Sequence, residues 1–307
     1  MADHGGAAHH KRARRRAGLR SCLWAAAAAL LGLAAGGLPI VRALEMVTLD
    51  TRFRMFAEPE TARKDIVIVD INEESLRTLR DLPEYGRWPW GRGAHANLVE
   101  VLRVAGARLI VFDILFDMPE PKDPEGDAAF VRSVAKAGNV ILAAAFPPDR
   151  LPSGYLDLAR FALPASAAPE DPFVVRGALV PFKELRDVAA GIGAINIDPK
   201  GRRVPTTVSY EGGLYPSLAL CAALAEGAEL EPRVIRHQRG TTPLADNGEV
   251  LVTWRGPKGT YTYVEAEDVI RAYTMLLKGE DPPEWLETFR NKTVFVGASV
   301  AAAYEWR

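Results

Sequence analysis

The sequence predicts an α/β fold: a central, mostly parallel or mixed sheet covered by helices on both faces, preceded by one N-terminal transmembrane helix. Three observations predict it. Nearly uninterrupted apolar, β-branched runs at 66–71 and 109–112 read as strands buried on both faces. Helical stretches alternate with such runs, which implies parallel strands joined by crossovers. Residues 21–41 carry no charge over 21 positions, bounded by Arg20 and Arg42.

The N-terminal segment is read from charge and length. At the helical rise, 21 residues reach roughly 30 Å, the thickness of a bilayer core. Leu23, Leu30, Leu31, Leu33, Leu38, Ile40 and Val41 contribute about −2 to −4 kcal/mol on an insertion scale, while three glycines and Pro39 oppose it. The span is therefore credible but marginal. Lys11, Arg12, Arg14, Arg15, Arg16 and Arg20 precede it against Asp3 alone, so the positive-inside rule keeps residues 1–20 cytoplasmic as a basic tail. Residues 42–64 form a juxtamembrane helix and linker, and 65–307 an exported domain. A cleaved signal peptide is the competing reading, since a basic region, an apolar run and small residues are all present.

Residues 44–57 place Leu44, Val47, Phe53 and Phe56 near one helical stripe. Helices are expected at 73–79 and at 94–105, the second closed by Gly106. Asp123-Pro124 opens a third helix as N-cap and first-turn proline, and Gly138 ends it before a strand at 140–144. The proline-rich stretch 147–180 reads as an excursion from the sheet. A helix at 181–189, a strand at 192–197, a strand at 204–210 and a helix at 216–225 follow. Asp246-Asn247-Gly248 is a hairpin-type turn between 233–237 and 250–254. The last elements are a helix at 268–277 and a strand at 293–296.

Composition narrows the function classes. The 307 residues carry a net charge of −1, with the basic tail balanced by an acidic remainder, so the folded part has no nucleic-acid footprint. Two cysteines make neither a disulfide framework nor a cysteine metal cluster. No G-x-S-x-G elbow, phosphate-binding Walker loop or H-E-x-x-H motif is present, and Gly297-Ala298-Ser299 lacks the elbow spacing. No catalytic residue, metal site or cofactor is assigned.

Residues that bear chemistry concentrate at the expected strand ends. Asp70 and Asp113 end apolar strands, so neighbouring parallel strands would bring both carboxylates to the carboxyl edge, where α/β proteins bind ligands. Asp117 lies four residues beyond, and three carboxylates there can hold a divalent cation or pair with Arg87 and Arg92. In Gly86–Arg92, Trp88 and Trp90 flank Pro89, and the two arginines offer planar forks. Such a loop suits a small ligand, and equally a packing wedge. His95 begins a helix and is either a titrating sensor or a structural histidine. Asn196 follows a glycine-rich strand and either reaches the same edge or shapes a turn.

The chain resembles the CHASE2 family, extracytoplasmic sensor domains of bacterial transmembrane signalling proteins. The resemblance is carried by an ordered set. It comprises Leu49-Asp50-Thr51-Arg52-Phe53, Ile68-Val69-Asp70-Ile71 and the central Gly86-Arg87-Trp88-Pro89-Trp90-Gly91-Arg92 with His95 and Leu98. Ile110 to Phe116, Asp127, Gly193-Ala194-Ile195-Asn196 and Tyr215-Pro216-Ser217-Leu218-Ala219 follow. Asn247-Gly248, Gly256-Pro257 and Asn291 to Ser299 complete it. It implies a periplasmic sensor anchored in the inner membrane, detecting a small ligand or a physical condition. It also implies further membrane helices and a cytoplasmic output domain, a cyclase or kinase, which these residues do not contain. A marginal membrane helix gains from a partner, so a homodimer through the stalk fits this reading. An exported metal-dependent hydrolase built on Asp70, Asp113 and Asp117, and a structural envelope module without ligand, are the alternatives.

Overall fold

The computed structural model describes residues 48–49, 51–53, 55–82, 85–151, 156–196 and 202–300. Residues 1–57 and 58–307 form two compact units. In the first, residues 48–49, 51–53 and 55 are helical, and the Phe56 N–H donates to Arg52 O at 2.8 Å. The expectations for 1–20 and 21–41 lie outside the described residues. Among the described residues, no helix is long and apolar enough to cross a membrane.

The second unit opens with β1 (Ile66–Ile71) and α1 (Glu73–Arg80), whose N-cap Asn72 accepts the Ser75 N–H at 2.8 Å. Next come α2 (Arg92–Val104) and β2 (Leu109–Asp113), with Gly106 turning between them at φ +77. In α3 (Pro124–Ala137) the Asp123 carboxylate accepts the Gly126 N–H at 2.9 Å, and left-handed Gly138 ends the helix before β3 (Val140–Ala144). The excursion holds short 3-10 turns and a two-residue β4 (Val174–Val175). Then follow α4 (Lys183–Val188), β5 (Gly191–Ala194), β6 (Arg203–Pro205), β7 (Thr207–Tyr210), β8 (Gly213–Pro216) and α5 (Leu218–Ala225). The chain continues through β9 (Glu229–Glu231), β10 (Val234–His237), β11 (Gly240–Pro243) and β12 (Glu249–Leu251). It closes with β13 (Thr262–Glu265), α6 (Ala266–Leu277) and β14 (Thr293–Ala298).

Three local expectations change. The strand expected over 204–210 breaks at Thr206, whose hydroxyl donates to Gly248 O at 2.7 Å instead of continuing a ladder. The helix expected from 216 starts at 218, because Tyr215-Pro216 belong to β8 and Ser217 caps Leu220 N at 3.3 Å. The Asn247-Gly248 turn forms, with Gly248 at φ +77, yet its flanking strands do not make the expected hairpin. β10 pairs with β9 and β11, and β12 pairs with β6, because an unexpected strand, β11, takes the partner edge first.

The main sheet has six strands in the order β13-β1-β14-β2-β3-β5, every pair parallel. The expected parallel α/β sheet is present, with helices on both faces. Val67, Val69, Ile71, Ile110, Phe112, Leu142, Val294 and Val296 share one large core with the inward residues of α2, α3 and α6. Each fully buried side chain of this kind stabilises the fold by about 1.5–3 kcal/mol.

The second face is covered unevenly. α5 seals one part, packing Leu218 and Ala222 onto Leu109, Val111, Ile141 and Ala143. Glycines make this approach possible: a Cβ on Gly193 would stand 2.4 Å from the Leu218 Cα. Over β13, β1 and β14 the same face stays partly open, with Ile66, Ile68 and Phe295 half-buried and Tyr263 exposed.

Candidate functional site

The residues singled out in the sequence separate into two groups, one on each face of the sheet. The first group is an aromatic knot. Trp90 is buried and meets Trp88 edge-on with ring centroids 5.3 Å apart. His95, 1% exposed, lies between Phe116 at 5.0 Å, Phe130 at 5.9 Å and Phe112 at 6.1 Å. Apolar spacing on α2 and the run ending β2 bring these rings together, so the Trp-Pro-Trp loop is held as a wedge against the core.

Arg92, the first residue of α2, lies over the Phe116 ring at 4.7 Å and donates to Met118 O at 3.2 Å. Its ion partner is Asp127, at 3.6 Å, and Asp127 also accepts the Glu120 N–H at 2.6 Å. The expected pairing of Arg92 with Asp70 or Asp113 is therefore corrected: α2 and the loop before it sit on the face opposite those carboxylates. Burial pulls the Arg92 guanidinium down, opposed by the carboxylates of Asp127, Glu120 and Asp117. Arg87 is exposed and, among the described residues, pairs with no carboxylate.

Of the two readings of His95, its burial favours the structural histidine over the titrating sensor. Burial, and then the nearby Arg92 charge, pull its imidazole down to about 3. Its Nδ1 has no hydrogen-bond partner among the described residues, so it packs as a neutral ring. Asn196 is spoken for as well: its side chain accepts the Phe146 N–H at 2.9 Å and donates to the Phe146 carbonyl, clamping the chain just after β3.

The second group is an acidic row at the carboxyl edge. Register puts Asp70 beside Gly297, and Gly297 beside Asp113, across β1, β14 and β2. Glu265 stands beside Asp70 on β13. Paired residues of parallel strands face the same way, so the row lies on the partly open second face. The neighbouring strands expected for Asp70 and Asp113 are instead separated by β14, so the two residues lie two strand spacings apart, about 10 Å. Among the described residues a Cβ on Gly297 would meet only the Asp113 Cβ, at 3.5 Å, so Gly297 leaves the floor between them without a side chain.

Asp117 does not join this row. It lines a hollow of about 540 Å³ with Leu156, Val180 and Phe182, and its charge acts on Arg92. The expected three-carboxylate cluster is thus divided, and no group of three or more metal-ligating side chains forms among the described residues.

The two aspartates differ in surroundings. Asp70 is 4% exposed, and its Oδ2 accepts from Lys258 Nζ at 3.4 Å. Asp113 keeps one side in water, yet the surrounding protein displaces enough solvent to raise its carboxyl above the usual range. Lys258 and Tyr263 were not foreseen. The Gly-Pro-Lys-Gly loop that carries Lys258 was the available signal, and its meaning depends on a strand pairing made far away in sequence.

The opposite edge of the sheet is tied by ions rather than opened. Glu226, just past α5, takes Arg63 and Arg108 at 2.7 Å each and the Thr293 hydroxyl. Arg63 and Arg108 also hold Asp65, whose carboxyl sits well below its ordinary range. Cys221 is inert by the same logic of burial, which pushes its thiol up to about 11.

Comparison with protein families finds the CHASE2 domain, matched over residues 25–307. No curated protein and no solved structure matches the chain.

Proposed function

Because the chain belongs to the CHASE2 domain family, whose members are extracytoplasmic sensor domains, we propose that it detects a small ligand outside the cytoplasm for signalling across the membrane. The observation that carries the site is the acidic row: two carboxylates flank a glycine at the carboxyl edge of a parallel sheet, beside the part of the second face that no helix seals among the described residues. Ligands of open α/β sheets bind outside the strands' carboxyl ends. A ligand drives a change of shape only through its differential affinity for two states.

In this reading the uncharged segment 21–41 anchors the domain in the inner membrane, with the basic tail inside and everything after Val41 outside. Residues 42–57 carry the strain to the anchor, a second copy supports the anchor, and a cyclase or kinase receives the signal. The aromatic knot serves as the rigid wall against which the edge moves.

The test is a thermal-shift and calorimetric screen of the full chain, held in lipid nanodiscs, against a broad panel of periplasmic metabolites. A compound that stabilises the wild type and loses at least tenfold in affinity in Asp113→Asn supports the reading. Silence across the panel, or a reporter fused at the C-terminal end that works only in the cytosol, overturns it.

A further inference from the structure

The geometry points to a binding site for an aliphatic primary ammonium at Asp70, which the chain's own Lys258 occupies and keeps closed. The inference rests on the sensor reading above and names its ligand class and its lock.

A carboxylate this buried needs a cationic partner, since an unpaired charge is costly away from water. Among the described residues Asp70 has one, and it is loosely held. The Lys258 side chain is 72% exposed, and its ammonium stands 3.4 Å from the carboxylate, longer than the 2.7–2.9 Å common for charged pairs. The same ammonium lies 5.7 Å from the Tyr263 ring, within cation–π range. A carboxylate beside an aromatic face is the chemistry that recognises an alkylammonium. Lys258 is a stand-in for it, borne on a loop between Gly256 and Gly259 with no helix or strand of its own. Gly259 sits at φ +94, a conformation open to glycine, so the loop has a ready pivot beside the lysine.

The rest of the row extends the site. Beyond Asp70 the bare floor at Gly297 leads to Asp113, about 10 Å away. No ion pair engages Asp113 among the described residues. An α,ω-diamine lying along the row places one ammonium at Asp70, displacing Lys258, and the other toward Asp113. Displacement turns the Lys258 side chain out of the row, which is how occupancy would become a change of shape beside Tyr263.

The experiment uses the full chain and two probes, propylammonium and 1,4-diaminobutane, followed by calorimetry at constant ionic strength. Lys258→Gln should bind propylammonium at least tenfold more tightly than the wild type. Adding Asp70→Asn to that variant should abolish the gain. Tyr263→Leu, which changes only an exposed ring, should weaken binding several-fold and serves if Asp70→Asn does not fold. In Lys258→Gln, 1,4-diaminobutane should bind more tightly than propylammonium, and Asp113→Asn should erase that margin alone. Equal affinity in the wild type and Lys258→Gln, or undiminished affinity without the Asp70 carboxylate or the Tyr263 ring, overturns the lock. A metabolite screen that finds only ligands without an ammonium overturns this inference and leaves the sensor reading standing.

Discussion

The aromatic knot and the acidic row lie on opposite faces of one sheet, and they solve the problem of a polar group near a core in opposite ways. In the knot, His95 gives up its charge, and five rings enclose it. In the row, the buried Asp70 side chain accepts a hydrogen bond from a lysine that reaches it from a loop. Full enclosure favours the neutral form of a base; partial enclosure lets an ion pair persist with one member in water. The knot is therefore closed to water, while the row has an ion pair with its lysine in solvent.

That contrast can be broken by measurement. The largest effect belongs to Phe112→Ala, which empties the middle of the knot and should cost about 3–5 kcal/mol in urea unfolding. A loss under about 1 kcal/mol would mean the wall is not packed.

Acid provides the next test. The unfolded histidine titrates near 6.5 and the folded one at about 3, so between these values the unfolded chain binds a proton that the folded chain refuses. Stability from His95 is complete above pH 6.5 and is lost as pH falls, by about 3 kcal/mol at pH 4.5. Unfolding midpoints of the wild type and His95→Leu, compared at pH 7 and 4.5, should show a shallower acid loss in the variant. Parallel slopes would place the proton elsewhere.

Two glycines sharpen the comparison within the second face. Gly193→Ala drives a Cβ into the α5 backbone and should cost about 1–3 kcal/mol, whereas Gly297→Ala meets ordinary contact and should cost under about 1 kcal/mol. The same Gly297→Ala, filling the floor of the row, should still reduce diamine affinity in the Lys258→Gln background.

Much of the scaffold was readable because its signals are local. The runs of β1 and β2 declare burial on both sides, and α3 states its ends with Asp123-Pro124 and Gly138. β13 was not read: Thr262–Glu265 is an edge strand half-exposed on one side, so it lacks an apolar run. For the site, Asp70 and Asp113 were placed at the right edge of the right sheet. What could not be read was their separation, because the strand that comes between them is drawn from Thr293–Ala298. Nor could local pattern tell on which side of the sheet the Trp88-Pro89-Trp90 loop packs, and that side decided the partner of Arg92 and the protonation of His95.

The position of β14 also bears on how the protein is made. The slot between β1 and β2 is filled by the last strand of the sheet, so a chain emerging from a ribosome or translocon stays split down its middle until residue 298 has appeared. From the end of β2 at Asp113 to the start of β14 at Thr293, about 180 residues of synthesis, two central strands present unpaired edges to whatever lies nearby. Closure over such a sequence separation is slow, and the half-made product is the species most exposed to aggregation.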